Sequence, residues 1–260
     1  MNSKTMGYTS EPSAEDALLR ARLLDAADQC DRYSCPRFVG FLDERQRAVA
    51  QPILRQIPEM NVRFWGGYPG AERTIAGIFP PFLEAEEEAF PILPVGFTYR
   101  REAALTHRDI LGAILSCGVK RSKIGDILCA DGFAVVAADE EIAPYLAEQI
   151  VKVGREGVRS ICPYSGEWPA AHSFQDIRDT VASPRLDAVV KLAAGISRDE
   201  AARRIGAGLV ALNHLPCLSV SASVKEDDII SIRGVGRFRV DAVGPVTRKG
   251  RLYLTIQKYC

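Results

Sequence analysis

Apolar residues return every three or four positions along the first part of the chain. After Ser13, a good helix N-cap, Leu19, Leu23, Ala26 and Cys30 fall on one face with charges between them, and Cys35-Pro36 ends the run. A second helix opens at Asp43, with Gln46 as a capping-box partner and Val49, Ile53 and Ile57 as its apolar stripe; Pro52 is expected to kink it and Pro58 to stop it. From Asn61 the period changes to two. N-V-R-F-W and A-E-R-T-I-A-G-I-F read as strands joined by G-G-Y-P-G, and P-I-L-P-V-G-F-T-Y follows an acidic link as a third extended segment. Thr106 is expected to cap a helix that Gly118 closes. Asp131-Gly132 then turns a hairpin, and a further helix is expected from Asp139 to about Val153.

Residues 163–183 have the composition of a linker with room for one strand. Arg185 to Ala194 reads as a short helix closed by Gly195, and S-R-D-E from Ser197 as a strict capping box opening another that Gly208 ends. L-V-A-L-N and I-I-S-I flank an acidic turn, and R-F-R-V-D-A-V and R-L-Y-L-T-I alternate on either side of R-K-G. The expected class is α+β, in four parts. A helical N-terminal arm (1–40) precedes a central α/β sandwich with a mostly antiparallel sheet (41–162), then the linker (163–183), then a small C-terminal domain with a strand extension (184–260).

Composition narrows the function classes. At 260 residues, 47% hydrophobic and 25% charged, the chain is too apolar for long disorder and too long for a stapled mini-protein. Net charge is zero, but residues 181–260 hold 13 basic side chains against 7 acidic ones, a net of +6 that leaves −6 for residues 1–180. Seven cysteines without a C-x-x-C pair read as reduced thiols, and the first twelve residues hold no secretory h-region, so the expected location is cytoplasmic. Ile205 to Val224 lacks charge, yet Asn213, His214 and Pro216 within it argue for strands and turns rather than a membrane span. Three scattered histidines (His107, His172, His214), with no G-x-S-x-G and no H-E-x-x-H, leave no expected catalytic residue, metal site or cofactor.

The order helix, capped helix, strand, acidic turn, strand resembles the S4 RNA-binding domain. It is carried by Arg185, Leu186, Asp187, Ser197, Arg198, Ala201, Ile205, Gly208, Val210, Asn213, Asp228 and Ile229. The resemblance implies phosphate contacts from Arg185, Lys191, Ser197, Arg198, Arg203, Arg204, Asn213, Arg233 and Arg237. Arg198 is expected to matter most, and Arg198→Glu to spare folding while weakening binding. The chain departs from the S4 pattern at Gly206 and Leu209, where that family often carries cations, and at His214, where glycine is usual. The other reading is an amphipathic helical hairpin with solvated charges.

A wider resemblance spans nearly the whole chain. F-L-D-E-R-Q, F-W-G-G-Y-P-G-A-E-R, L-T-H-R-D-I-L-G-A-I-L and G-V-K-R-S-K-I-G-D-I-L, in that order, are similar to the bacterial YlmH family. That resemblance implies an RNA-binding region before an S4 domain, no catalytic activity, and work on the large ribosomal subunit near transfer RNA, in rescue of stalled nascent chains. A link to cell division is also attached to the family.

A second RNA surface is readable from the residues alone. In G-G-Y-P-G-A-E-R the glycines expose amides, Tyr68 offers a stacking face and Arg73 a charge, although a tight strand connection with a half-buried tyrosine fits equally. His107 and Arg108 open a helix, where they could meet phosphate, or where Thr106 simply caps and Asp109 answers the dipole. Lys120, Arg121 and Lys123 form a basic cluster or a solvated turn. R-L-D also occurs around the catalytic Asp of pseudouridine synthases, but here Asp187 runs on into A-V-V-K-L and reads as structural. The expected protein is a monomeric, non-catalytic binder of ribosomal RNA and tRNA with no cofactor and no membrane partner. The alternatives are a division-linked interaction adaptor and, behind it, an RNA-modifying enzyme.

Overall fold

The computed structural model describes residues 13–57, 59–171, 174–247 and 250–259. The first twelve residues, the expected stop at Pro58, His172, Arg248-Lys249 of the R-K-G turn, and Cys260 lie outside the described residues. Two compact units divide the chain after Ala171.

In the first unit, α1 (Ala14–Tyr33) begins where the Ser13 side chain accepts from the Asp16 N–H. β1 (Arg37–Leu42) leads into α2 (Glu44–Leu54), capped reciprocally as Asp43 accepts from the Gln46 N–H at 2.8 Å and Gln46 from the Asp43 N–H at 2.9 Å. β2 (Asn61–Trp65) and β3 (Thr74–Phe79) complete an antiparallel sheet ordered β1-β3-β2. Leu19, Leu23 and Cys30 of α1 and Ala50 and Leu54 of α2 bury against Val39, Ala76 and Ile78 of that sheet. The expected helical arm is therefore no separate segment, because its apolar face is one wall of a shared core.

β4 (Ile92–Thr98), α3 (His107–Ser116), β5 (Ile124–Ala130), β6 (Phe133–Asp139) and α4 (Ala143–Gln149) build a second layer pair. The hairpin of β7 (Lys152–Val153) and β8 (Glu156–Gly157) precedes β9 (Arg159–Ile161), which adds to an antiparallel sheet ordered β5-β6-β4-β9. Ile110, Ile114 and Leu146 cover one face of it, on Val95, Phe97 and Val136. On the other face Ala137 meets Phe41, Ile75, Phe79 and Phe90, so the two sheets lie back to back with helices outside.

Two expectations change here. The helix foreseen from Asp139 to Val153 is only α4. β6 keeps its ladder with β4 as far as Asp139, Pro144 sits in the first turn of α4, and the Arg100 guanidinium grips Glu156 at 2.8 and 2.6 Å, holding the following residues as a hairpin. The start of the foreseen linker is folded as well. The Tyr164 N–H donates to the Pro94 carbonyl at 2.9 Å, and its ring lies so close to Gly96 that a Cβ there would come within 2.6 Å.

The second unit is a six-stranded antiparallel sheet with two helices on one face. Its elements are β10 (Phe174–Val181), α5 (Leu186–Ala194), α6 (Arg198–Gly206), β11 (Val210–Leu212), β12 (Leu215–Pro216), β13 (Ile229–Ile232), β14 (Gly236–Val246) and β15 (Leu252–Tyr259), in sheet order β10-β15-β14-β13-β11-β12. Leu186, Val189, Val190 and Ile205 pack on Phe238, Val240, Leu254 and Ile256. The strand foreseen inside the linker is β10, paired residue for residue with β15. The capping box at α6 is half formed: the Ser197 hydroxyl accepts from the Glu200 N–H at 3.2 Å, while the Glu200 carboxylate turns to Arg203 and Arg204 instead. Both units are α+β, and among the described residues no helix is long and apolar enough to cross a membrane.

Two glycines with opposite surroundings test the packing. A Cβ on Gly125 would sit 2.5 Å from the Phe41 ring and 2.8 Å from Ala137, whereas one on Gly112, inside α3, meets nothing within 4 Å. Gly125→Ala should destabilise by about 1–3 kcal/mol and Gly112→Ala should stabilise by about 0.5–1 kcal/mol. Urea melts of the two variants beside the parent will read both signs.

Candidate nucleic-acid interface

The basic groups of the second unit are arranged round one carboxylate. Asp187 lies in the first turn of α5 and is only 3% exposed. Arg198, the first residue of α6, donates its Nε–H to Asp187 at 2.7 Å, and Arg185, the N-cap of α5, approaches the same carboxylate at 3.2 and 3.4 Å. Burial pushes the Asp187 carboxyl up, but hydrogen bonds from Arg198 and then Arg185, with their charges, outweigh it and hold the group below its ordinary value. The Arg198 side chain remains 55% exposed. Its Nε edge is fixed from below while its outer edge faces water, the orientation in which a guanidinium can grip a phosphate.

Beside it lies a recess of about 130 Å³ between the start of α6, the outer side of α5 and the end of β10. Lys191, Arg198 and Arg251 line it, together with Asp179, Thr180 and Ser183. Arg251 is absent from the sequence candidates. It precedes β15, whose register sets Leu252 opposite Val181, and its guanidinium holds the Thr180 hydroxyl at 2.9 Å and the Thr180 carbonyl. The alternation of R-L-Y-L-T-I shows a strand but not its partner, so nothing local sets Arg251 beside Thr180.

The remaining candidates of this unit divide. Arg203 and Arg204 share Glu200, at 2.7 and 3.3 Å, so part of their charge is answered locally. Asn213 is committed to the fold: its amide donates to Asp228 at 2.8 Å, its carbonyl accepts from the Ile229 N–H at 2.9 Å, and its φ of 49° makes the β11–β12 turn. His214 follows it in the left-handed region at φ 69°. Arg233 is exposed in the β13–β14 turn, and the Arg237 guanidinium lies 4.4 Å from the centre of the Tyr259 ring.

The second surface loses most of its members. Tyr68 is 8% exposed, stacks on Trp168 at 4.7 Å, and donates its hydroxyl to Asp126 at 2.7 Å. Burial first, and the Asp126 charge second, push its pKa up. Asp126 also accepts from the backbone N–H groups of Glu72 and Arg73, at 2.7 and 3.1 Å. Arg73 donates to the carbonyls of Ile124, Phe41 and Arg121, and Arg121 to those of Ile124 and Gly125. Burial, with Arg73 close by, pushes Arg121 down to about 10. Lys123 pairs with Asp139 at 2.7 Å. Tyr68, Arg73, Arg121 and Lys123 thus hold motifs together rather than offering a face. Gly66 fits the same account, since a Cβ there would meet Ala71 and the Arg73 carbonyl at 2.4 Å.

Facing water are His107, Arg108 and Lys120. Asp109 takes the Thr106 N–H at 2.8 Å and its hydroxyl at 2.6 Å, which is the capping alternative for this helix start. Partial withdrawal from water, and then Arg121, hold the His107 ring below its usual pKa. Among the described residues no group of three or more His, Cys, Asp or Glu side chains could hold a metal.

An α+β protein with a carboxylate-anchored basic cluster on a small helix-backed sheet is the class that fold and site define. Comparison with known proteins gives the family. The family model described as "Putative RNA-binding domain in YlmH" matches residues 86–161. The "Ribosome-associated protein quality control protein P2" of Bacillus subtilis (strain 168) is 30% identical over 226 residues, covering 85% of this chain and 87% of that protein. The chain therefore belongs to the YlmH family. A solved structure, "Cell division protein ylmH from Streptococcus pneumoniae", shares the fold with a TM-score of 0.50 at 21% identity, covering 60% of this chain and 95% of that one.

The Asp187 cluster alters one expectation. Glutamate at position 198 would bring a second negative charge to a buried carboxylate and remove its main partner, so Arg198→Glu will not leave folding intact. Because the folded pKa of Asp187 lies below the usual value of about 3.9, the pairing stabilises above that pH and fades as pH falls through the folded value. Asp187→Asn should cost about 1–3 kcal/mol near pH 7, and its deficit should shrink in urea melts taken below about pH 4.

Proposed function

We propose that the protein is a non-catalytic RNA-binding factor that works on the ribosome, contacting large-subunit ribosomal RNA and tRNA in quality control of stalled translation. In this reading residues 184–260 are an S4-type RNA-binding domain carrying a strand extension, and the chain acts as a cytoplasmic monomer. The observation that carries it is the recess lined by Lys191 of α5, Arg198 of α6 and Arg251 just before β15, where Asp187 fixes one guanidinium and the three cations outnumber the one acid, Asp179. The B. subtilis relative, matched over most of both chains, bears the name of a ribosome-associated quality-control protein, and the family description over residues 86–161 is of an RNA-binding domain.

A non-catalytic role is supported by the state of Asp187. Buried and held by two guanidiniums, it cannot approach a base as the nucleophile of a pseudouridine synthase must. Arg185, Lys191, Arg198 and Arg251 form the principal RNA surface in this proposal, with Arg203, Arg204 and Arg233 at its margins. His107, Arg108 and Lys120 are a smaller second surface on the other unit.

Phosphate contacts release counterions, so about four of them lower affinity on the order of a hundredfold between 50 and 200 mM salt. Co-sedimentation with ribosomal subunits in sucrose gradients should show that loss. Lys191→Glu, at an exposed side chain that makes no hydrogen bond among the described residues, should abolish co-sedimentation at moderate salt without moving the melting temperature. The matched change Arg22→Glu on α1 should do neither. A flat salt response, or equal behaviour of the two variants, would sink the assignment.

A further inference from the structure

The sheet of the second unit has a face that the helices do not cover. Phe238, Val240, Leu254 and Ile256 point towards α5 and α6, and strand alternation turns their neighbours Arg237, Arg239, Tyr253, Gln257 and Tyr259 the other way. The β10–β15 register sets Phe174 directly opposite Tyr259, with the rings edge-on at 5.0 Å and 67°. The Arg237 guanidinium lies 4.4 Å from the Tyr259 ring centre, and that of Arg239 5.2 Å from Phe174, while Arg239 also donates to Gln257 at 2.7 Å. Phe174 and Tyr253 are nevertheless 41% and 54% exposed.

We propose that this outer sheet face binds single-stranded RNA, stacking unpaired bases on Phe174, Tyr253 and Tyr259 and holding their phosphates with Arg237 and Arg239. The proposal rests on the RNA-binding reading above but assigns a different element and a different form of RNA. The solvent face of an antiparallel sheet needs only polar side chains. Exposed rings interleaved with guanidiniums are what unpaired nucleotides require, because each ring offers a π-face to any base and each arginine can stack and reach a phosphate at once. The two tyrosines on β15 lie six residues apart, about 20 Å along the strand, which accommodates a short run of nucleotides. Three arginines, with Arg178, stand on this side against Asp176 and the bulged Asp241, so the face keeps a positive balance. α5 and α6 contain no aromatic residue, so their recess can grip phosphate but cannot stack bases. The two faces would therefore take different RNA forms, duplex backbone on the helical side and single strand on the sheet.

Fluorescence anisotropy of the full chain with a labelled oligouridylate and with a labelled RNA hairpin tests this. Tyr253→Ala and Phe174→Ala should each weaken oligouridylate binding about tenfold and leave the hairpin unchanged, whereas Lys191→Glu should do the reverse. A 4-thiouridine oligonucleotide photo-crosslinked to the unaltered protein should attach within residues 174–181 or 252–259. If Phe174→Ala fails to fold, Tyr253→Ala and the crosslink map decide the matter. Oligouridylate binding unchanged in Tyr253→Ala, or crosslinks confined to residues 185–206, while the hairpin still binds, overturns this assignment alone. Failure of both RNAs to bind overturns the RNA-binding reading with it.

Discussion

Taking a carboxylate out of water costs several kcal/mol unless its charge is answered on the spot, and Asp187 is 3% exposed. The answer comes from Arg185, which caps the same helix, and from Arg198 at the start of the next, so the one bond to Arg198 ties the start of α6 to the start of α5. It also decides where the outward edge of Arg198 points. A guanidinium on a free side chain must give up rotamer entropy when it grips a phosphate, whereas one already tied at Nε has lost much of it on folding. The fold and the basic surface are thus consequences of the same ion pairs, which is why they cannot be varied independently at position 198.

The first unit uses a buried acid differently. Asp126, 9% exposed, accepts from the Tyr68 hydroxyl and from two backbone amides of the Gly-rich connection, and among the described residues no guanidinium bonds to it. Arg73 and Arg121 instead give their hydrogen bonds to backbone carbonyls at the ends of β1 and β5. Charge and hydrogen bonding are exchanged between elements far apart in sequence, and these buried polar groups find partners without a solvent-facing pair. Such a hub favours one rigid arrangement of the two sheets, while the outer ends of the helices remain available to carry function.

How far the sequence can be read follows from the range of the interactions involved. Helix periods, caps at Ser13, Asp43 and Ser197, and the alternation of β14 and β15 are local, and they are legible. The S-R-D-E pattern promises one bond too many, because Glu200 has two arginines within a turn competing for it. The periodicity overextends α4 since an apolar run of Ile and Val suits helix and strand alike, and Gly154, at φ 60°, turns the residues after it into the β7–β8 hairpin. The loop around Tyr68 looks like a surface for stacking because nothing within the motif reveals that Asp126, 58 residues on, takes the hydroxyl. Arg251 is hidden for the same reason, its partner Thr180 lying 71 residues away.

The long motifs that carry the family resemblance therefore bear mainly on fold. F-W-G-G-Y-P-G-A-E-R and G-V-K-R-S-K-I-G-D-I-L are two sides of one hydrogen-bonded junction, closed by the Phe41 carbonyl of F-L-D-E-R-Q. Their tyrosine and most of their cations are spent there, and what they leave in water is Lys120, beside His107 and Arg108 of the neighbouring helix motif. The exposed cations of the first unit, among them Arg22, Arg55, Arg108, Lys120 and Lys152, are scattered over several elements, whereas the second unit gathers anchored guanidiniums and a lysine round a recess. That asymmetry is one of arrangement rather than number: in the second unit a buried carboxylate holds a guanidinium at the edge of a recess, so gripping an anion there costs less rotamer entropy than it does for cations on unanchored side chains.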